Sequence, residues 1–173
     1  MLNNFPVNNI NTFVLDVDGV LTDGLLYLIG DNEMVRAMNA KDGYALQLAV
    51  KRGFQVIVIS GGISTLSELR LKKLGIIHVY MGVHDKLSLL KSLSESLHIE
   101  ASSMIYIGDD VPDIEVMKYT GISACPADAC ADVLAMSNYI SPFMGGKGCV
   151  RDVIEQVMKT QNKWLHTNDV VSR

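Results

Sequence analysis

Short apolar runs recur along the chain, and each is followed by glycine or by polar residues. Short runs of hydrophobic and β-branched residues that are bounded in this way are typical of strands buried on both faces. We predict five such strands, at Phe13–Leu15, Val56–Ile59, His78–Tyr80, Met104–Ile107 and Gly121–Ala124.

Between these runs, apolar residues recur at the three- and four-residue spacing of helices. Leu87, Leu90, Leu93 and Leu97 mark one such helix, and Gly75 is a stop signal after another. The predicted helices are Gly43–Arg52, Ser64–Leu74, Lys86–Leu97 and Ile114–Tyr119. Because strands and helices alternate, we predict a Rossmann-like, three-layer α/β/α fold with a mostly parallel sheet. Ligands of such folds bind beyond the carboxyl ends of the strands.

One pair of apolar runs predicts a different element. Leu25–Ile29 and Met34–Met38 are joined by the turn sequence Gly30-Asp31-Asn32-Glu33, so we predict a β-hairpin inserted after the first strand. The 173-residue chain is of single-domain size, and we place that domain at residues 1–160. Residues 161–173 are expected to form a polar C-terminal tail, in which Trp164 requires a contact to avoid exposure.

Composition narrows the classes of function. The chain is 49% hydrophobic and 20% charged, which is typical of a globular protein. Its net charge of −4 and its lack of a basic run argue against nucleic acid as a partner. We expect no membrane association and no secretory signal, because no apolar run is long enough and the first residues lack the signal pattern. Cys125, Cys130 and Cys149 lack the spacing of a disulfide framework or a zinc site, so we expect a cytoplasmic protein.

The stretch from Phe13 to Gly24 has the strongest chemical signal. Two acids, Asp16 and Asp18, follow the first strand directly and are themselves followed by glycine. Side chains two apart on an extended strand point to the same side, so we expect these carboxylates to converge. Like charges this close require a cation or a shared proton, and Mg²⁺ prefers oxygen ligands of this kind. A solvated acidic turn would show the same residues, so the prediction depends on the features below.

Further polar clusters lie at predicted strand ends or helix starts. Ser60 is followed by Gly61 and Gly62, a hydroxyl and open backbone amides that suit an anion such as phosphate. Lys86 opens a helix, where the helix dipole disfavours a cation, and so indicates an anionic partner. The remaining clusters are Asp42-Gly43 before a helix and Gly108-Asp109-Asp110-Val111-Pro112-Asp113 after the fourth strand. Each cluster alone is also explained as a cap or a turn, whereas their joint occurrence in this order predicts a phosphate- and metal-binding site.

The motifs DVDGVLTDG, Ser60, Lys86 and GDDVPD, in this order, resemble the four signature motifs of the haloacid dehalogenase superfamily of phosphohydrolases. The resemblance implies that Asp16 is the nucleophile that forms an aspartyl-phosphate and that Asp18 is the general acid and base. It also implies that Ser60 and Lys86 hold the transferred phosphoryl group.

The same resemblance implies a Mg²⁺ cofactor. Its ligands would be Asp16, Asp109 and the backbone carbonyl of Asp18. Asp110 and Asp113 would be supporting carboxylates, either at the metal or against the motif lysine. The positive charge of Mg²⁺ and the lysine would offset the repulsion between an attacking carboxylate and a phosphate dianion.

The segments between the motifs are too short for the cap domain of larger members, so the chain resembles the capless subclass. DVDGVLTDG, MNAKDGYAL and GGKGCVRDVIEQV are similar to 3-deoxy-D-manno-octulosonate 8-phosphate phosphatases, enzymes of lipopolysaccharide sugar synthesis. This resemblance implies a sugar-acid phosphate as substrate. It also implies a homotetramer, in which the hairpin contributes to assembly and a neighbouring subunit covers the site.

Substrate-binding residues are expected on the same basis. Arg70 and Lys73 are candidates to meet the substrate carboxylate from the neighbouring subunit, because a guanidinium suits bidentate carboxylate recognition. The alternative is that both belong to the solvated face of a helix. The full set of expected substrate-binding residues is Gly61, Gly62, Asp42, Gly43, Arg70 and Lys73.

Two alternatives stay open from the sequence. Gly62 stands where octulosonate enzymes often have Arg and the related nonulosonate 9-phosphate phosphatases have Glu, so the discriminating side chain is missing. Lys73 resembles the nine-carbon enzymes at this position, whereas the sequence DGY at Asp42 resembles the eight-carbon enzymes. We favour the octulosonate 8-phosphate as substrate. A phospho-accepting signalling domain also combines carboxylates, a hydroxyl and a lysine, but its acidic pair and phosphorylated Asp lie on separate strands and its lysine comes last.

Overall fold

The computed structural model describes residues 2–29 and 33–166. Its strands are β1 (Thr12–Leu15), β2 (Tyr27–Ile29), β3 (Glu33–Val35), β4 (Gln55–Ile59), β5 (His78–Tyr80), β6 (Met104–Ile107), β7 (Ile122–Cys125) and β8 (Tyr139–Ile140). Its α-helices are α1 (Ala40–Lys51), α2 (Thr65–Lys73), α3 (Lys86–Leu97), α4 (Ile114–Tyr119), α5 (Ala131–Met136) and α6 (Cys149–Thr160). Among these described residues, no helix combines the length and the apolar character that a membrane crossing needs.

The strand order brings the loops after three strands together. Six strands of the described chain form one parallel sheet in the order β5-β4-β1-β6-β7-β8. The central strand β1 pairs with β4 and β6, and Leu15 lies in register with Val58 on one side and Ile107 on the other. Because all three strands run the same way, the loops that follow them meet at one edge, where a parallel sheet binds its ligands.

Helices cover both faces of the sheet, as the sequence predicts. All four residues of β1 are buried, and the three apolar ones alternate between two cores. Phe13 and Leu15 belong to the core that also includes residues of α1, α2 and α6, whereas Val14 belongs to the core with residues of α3, α4 and α5. This arrangement confirms the three-layer α/β/α prediction.

The predicted hairpin is also confirmed, with shorter strands. β2 and β3 form an antiparallel two-stranded sheet in which Leu28 pairs with Met34. The second strand ends at Val35, directly before Arg36, whose side chain pairs with Asp18. Residues 30–32 of the predicted turn lie outside the described residues.

The helix boundaries agree with the sequence prediction in two cases and differ in one that a capping residue explains. α3 and α4 begin and end where the sequence predicts. α1 begins earlier than predicted, because the Asn39 side chain accepts a hydrogen bond from the Lys41 backbone N–H at 2.8 Å and so caps the helix at that point. The structure also contains α5, β8 and α6, which are absent from the sequence prediction.

The last described residues fold back onto α1 and α6. Trp164 packs edge-on against Tyr44, with ring centroids 6.5 Å apart, and the Arg151 guanidinium lies 5.5 Å from the Trp164 ring. The Arg52 side chain donates a hydrogen bond to the Leu165 carbonyl at 2.7 Å. The expectation that Trp164 makes a contact is therefore confirmed, and residues 167–173 of the predicted tail lie outside the described chain.

Candidate active site

The two acids of the first motif stand in the turn after β1 and have different partners. The Asp16 carboxylate lies 3.0 Å from Lys86 Nζ and accepts a hydrogen bond from the Val17 N–H at 2.7 Å. Asp18 instead pairs with Arg36, at 2.6 Å from its Oδ1 to Nε. The two-residue alternation of an extended strand does not apply here, because the strand ends at Leu15 and both acids belong to the turn.

A buried ion network surrounds Lys86. Its Nζ donates to Asp113 Oδ1 at 2.7 Å, and the Tyr106 hydroxyl donates to the same oxygen at 2.7 Å. The other Asp113 oxygen accepts the Asp109 backbone N–H at 3.1 Å. Asp113 thus contacts both the lysine and the acidic loop after β6.

The protonation states within this network follow from burial and charge. Burial alone would lower the pKa of Lys86, but the charges of Asp16 and Asp113 outweigh it and raise that pKa. Burial and then repulsion from Asp113 raise the pKa of Asp16 to about 7, although Lys86 opposes the shift. Burial and then the charges of Asp16 and Asp113 raise the pKa of Asp109 to about 8. At neutral pH these two carboxyl groups are therefore only partly ionised, and a further positive charge at the site favours their ionised form.

The donor set at the same place fits a divalent cation. Ligand oxygens of Asp16, Asp109 and Asp113 lie within 4.8 Å of one another. Within the described part of the chain, Asp109 Oδ1 is buried and has no hydrogen-bond partner. A Cβ atom at Gly19 would overlap the Asp109 carboxylate, so glycine is required for the loops after β1 and β6 to approach this closely. Clustered carboxylate oxygens are the ligands that Mg²⁺ prefers.

The second motif lies on the other side of β1. Ser60 directly follows β4 and is 1% exposed. Its Oγ accepts the Gly62 backbone N–H at 3.1 Å, which turns the chain sharply. Gly61 is exposed, and a Cβ there would meet only the Val83 carbonyl oxygen, at 3.7 Å. The loop therefore lies next to Asp18 with an exposed Gly61, whereas the Gly62 N–H is already bonded to Ser60 Oγ. An exposed glycine backbone of this kind suits an anion.

Arg36 is a site residue that the sequence reasoning missed. Its Nε and Nη2 donate to the two carboxylate oxygens of Asp18 at 2.6 and 3.0 Å. Hydrogen bonding to Asp18 and its charge raise the pKa of Arg36 although burial opposes this. The available signal was a single basic residue within the predicted hairpin strand Met34–Met38. This residue reaches the first motif only if the hairpin folds back over it.

The structure distributes the other predicted residues more widely. The Asp42 carboxylate is 1% exposed and accepts the Arg151 backbone N–H at 2.7 Å, so it meets the start of α6. Gly43 faces Arg70, because a Cβ at Gly43 would lie 3.0 Å from Arg70 Nη2. Lys73 is exposed at the end of α2. Asp110 accepts the Val111 N–H at 2.8 Å and caps the short turn Val111–Asp113.

Fold and site together define a phosphohydrolase-type α/β protein with a buried aspartate, a buried lysine and an acidic cluster. Residues 59–151 match the haloacid dehalogenase-like hydrolase family. The chain belongs to this family. Membership favours a hydrolase over the phospho-accepting signalling domain, in agreement with the order of the motifs.

Individual phosphatases are similar to this chain over most of its length. The chain is 38% identical over 155 residues to the 3-deoxy-D-manno-octulosonate 8-phosphate phosphatase KdsC of Salmonella typhi, which covers 90% of this chain and 82% of the relative. It is similar to the crystal structure of the corresponding phosphatase from Yersinia pestis, with a TM-score of 0.88, 36% identity and coverage of 91% and 85% of the two chains. The phosphatase from Moraxella catarrhalis, solved in complex with magnesium ion, phosphate ion and KDO, has the same TM-score of 0.88 and identity of 36%, with 91% of each chain covered.

Proposed function

We propose that this chain is a Mg²⁺-dependent phosphatase that hydrolyses 3-deoxy-D-manno-octulosonate 8-phosphate to KDO and phosphate. The single observation that carries the proposal is the buried arrangement of Asp16, Lys86 and the Asp109 loop at the carboxyl edge of the sheet. The substrate is supported by the similarity to phosphatases named for it over 90% of the chain. We place the reaction in lipopolysaccharide sugar synthesis in the cytoplasm.

The proposed reaction has two steps on this chain's residues. Asp16 attacks the phosphorus atom and forms an aspartyl-phosphate, while Asp18 gives a proton to the sugar oxygen that leaves. Asp18 then takes a proton from water, and the water oxygen bonds to phosphorus. The bond from phosphorus to the Asp16 oxygen breaks, which releases phosphate and restores the Asp16 carboxylate. Ser60 and the Gly61–Gly62 backbone would bind the phosphoryl oxygens, and Lys86 offsets their charge.

Asp16, Asp109 and the backbone carbonyl of Asp18 would hold Mg²⁺. When bound, the ion supplies positive charge that offsets the repulsion between the carboxylates and the phosphate. Asp113 supports this set by orienting Lys86 and the Asp109 backbone. Asp110 supports it by capping the turn that follows.

We further propose a homotetramer in which the hairpin takes part in assembly. Leu28, Ile29 and Met34 are 75%, 57% and 51% exposed in the single chain, which is a large apolar surface for one hairpin. Ile63, two residues before α2, is 80% exposed, and Leu66, in the first turn of α2, is 53% exposed. The same helix carries Arg70 and Lys73. A neighbouring subunit that covers such surfaces would bring its own Arg70 and Lys73 toward the carboxylate of the substrate bound in this chain.

A nonulosonate 9-phosphate is the second candidate substrate. Gly62 has no side chain to discriminate between the two sugar acids, and this observation keeps the nine-carbon compound open. The chemistry at Asp16 would be the same for both.

The test is phosphate release from both sugar-acid phosphates under identical conditions, with and without Mg²⁺. We expect a strong preference for the eight-carbon substrate, no release in excess chelator, and no release by Asp16→Asn. A nine-carbon preference would keep the mechanism and replace the substrate. Release by Asp16→Asn at the wild-type rate would contradict the assignment of the nucleophile.

A further inference from the structure

The pair formed by Arg36 and Asp18 has the geometry of a fixed clamp. Two parallel hydrogen bonds join the guanidinium edge to both carboxylate oxygens, at 2.6 and 3.0 Å. The third guanidinium nitrogen, Nη1, donates to the Met34 carbonyl at 3.1 Å and ties the clamp to β3. Two bonds from a planar fork define the plane of a carboxylate, which one bond from an ammonium cannot do.

Burial differs sharply between the two partners. The Arg36 side chain is 3% exposed, whereas the Asp18 side chain is 31% exposed. The guanidinium therefore lies behind the carboxylate, and the carboxylate is the partner that a substrate can reach. Each carboxylate oxygen has two lone pairs, so the fork leaves one on each oxygen open for a proton.

Gly62 makes room for this clamp. A Cβ at Gly62 would lie 2.8 Å from Asp18 Oδ2 and 2.9 Å from Arg36 Nη2, both closer than unstrained contacts allow. The same Cβ would lie 3.5 Å from Ser60 Oγ, so the clamp adjoins the proposed phosphate loop. Three segments that are distant in sequence thus meet at one point.

We infer that Arg36 is a positioning residue that holds the Asp18 carboxyl group in the orientation for proton transfer to the leaving oxygen, and that Gly62 is required for this clamp. The inference rests on the proposed function, because it assumes that Asp18 is the general acid. In the step concerned, an Asp16 oxygen bonds to phosphorus and the bond from phosphorus to the sugar oxygen breaks. The electron pair of that bond goes to the sugar oxygen, which takes the proton of the Asp18 carboxyl group.

A purely structural tie between the hairpin and the loop is the alternative, and the leaving group separates the two. A sugar alkoxide needs a proton as it leaves, whereas p-nitrophenolate leaves without one. Loss of orientation at Asp18 therefore slows a sugar phosphate far more than p-nitrophenyl phosphate. Loss of general structure slows both equally.

The experiment measures kcat/KM, which reports the first phosphoryl transfer, for KDO 8-phosphate, phenyl phosphate and p-nitrophenyl phosphate with Mg²⁺. We expect Arg36→Gln to lose about 100-fold on KDO 8-phosphate and no more than about threefold on p-nitrophenyl phosphate, since general acid catalysis contributes on the order of 100-fold or more. Arg36→Lys should lose less than Arg36→Gln. Gly62→Ala, which keeps every charge, should show the same selectivity with a smaller loss.

Two controls separate the possible failures. Lys147→Gln removes an exposed cation that pairs at 3.2 Å with Asp23, a residue of the loop that also holds Asp18. This variant should keep the wild-type kcat/KM for all three substrates. Asp18→Asn should show the leaving-group selectivity in full. If Asp18→Asn lacks it, the acid role in the proposed function fails. If Asp18→Asn shows it but Arg36→Gln, Arg36→Lys and Gly62→Ala lose equally on all substrates, or gain activity, the inference about Arg36 alone is overturned.

The two aryl phosphates make the test independent of the sugar. If KDO 8-phosphate is not hydrolysed, the substrate assignment fails, and the comparison of phenyl with p-nitrophenyl phosphate still decides on Arg36. A selective loss on phenyl phosphate supports the clamp, and equal losses overturn it. Melting temperatures of all variants check that each compared enzyme is folded.

Discussion

Lys86 and Asp113 form a buried ion pair, with 2.7 Å between Nζ and Oδ1 and side-chain exposures of 7% and 1%. The residues are 27 positions apart in sequence, at the start of α3 and at the end of the turn after β6. The pair joins one helix layer to the acidic loop. It also holds the ammonium group within 3.0 Å of Asp16.

We expect Lys86→Met to remove activity and stability together. Removing one partner of a buried ion pair leaves uncompensated charge and typically costs about 3–5 kcal/mol of unfolding free energy. Loss of the charge beside the phosphoryl group should lower kcat by about 1,000-fold. Urea unfolding and steady-state phosphate release measure the two effects.

Lys72→Met is the matched control for this prediction. Lys72 pairs with Glu68 on the surface of α2, with a side-chain exposure of 53%, and exposed pairs contribute less than about 1 kcal/mol. Its stability and activity should match the wild type. Equal effects of the two substitutions would contradict a special role for the buried lysine.

The raised pKa values of Asp16 and Asp109 predict how stability depends on pH without metal. Both are raised from 3.8, to about 7 and about 8, so the folded chain retains protons that the unfolded chain has released. The unfolding free energy should therefore be highest at low pH in this window and fall as pH rises from near 4 toward 8. Melting temperatures in chelator at a series of pH values measure this slope.

Mg²⁺ should reverse the trend, because its ligands must be deprotonated. The increase in melting temperature on adding Mg²⁺ should be larger at pH 8 than at pH 5.5, by mass action on a tighter site. Asp109→Asn should flatten the metal-free slope and remove most of the Mg²⁺ effect. A Mg²⁺ effect that is independent of pH would contradict the shared role of these carboxylates.

Asp42→Ala should destabilise the protein by about 1–2 kcal/mol, because Asp42 caps the start of α6 through the Arg151 backbone N–H. Burial raises the pKa of Asp42 to about 6, and hydrogen bonds from the Arg151 and Gly148 backbone oppose the shift. Thermal or urea unfolding measures the loss. Asp132→Ala, at an exposed position in α5, should change stability by less than about 0.5 kcal/mol.

Kinetics of the same variant test the substrate-binding role expected for Asp42. A rise in KM without a loss of stability would support that role and contradict the capping role. A loss of stability with KM unchanged would support capping alone.

Leu28→Glu should lower the oligomeric state, because a charge would be placed in the apolar surface that the tetramer is proposed to bury. Leu28 is 75% exposed in the single chain, so the substitution should not disturb the fold. Light scattering during gel filtration measures the mass. Ile77→Glu is the control, because it introduces the same charge at a residue that is 78% exposed. Ile77 directly precedes β5, at the amino-terminal edge of the sheet and away from the hairpin, so this variant should keep the wild-type mass.

Local chemistry made much of this protein predictable. Val14, Ile57 and Tyr106 belong to runs that are too apolar to lie anywhere but between two layers, so the alternation of strands and helices indicated the sheet. The order of the motifs indicated which loops carry Asp16, Lys86 and Asp109. α6 could have been found in the same way, because Val150, Val153, Ile154 and Val157 lie at helical spacing and are all buried.

The partners of these residues were decided only by the tertiary structure. Asp16 and Asp18 are two positions apart but contact cations from different elements, Lys86 from α3 and Arg36 from the segment after the hairpin. Asp42 has the sequence context of a helix start, yet it meets the Arg151 N–H across 109 positions.

The physical reason is the separation along the sequence over which each interaction acts. Periodicity and turn chemistry act over a few residues, so the amino-acid sequence by itself determined the elements, their alternation and the loops that hold the acids. Ion pairs and caps depend on which loops the folded sheet brings within about 3 Å of one another. The clamp of Arg36 on Asp18, and the need for glycine at position 62, follow from that packing alone.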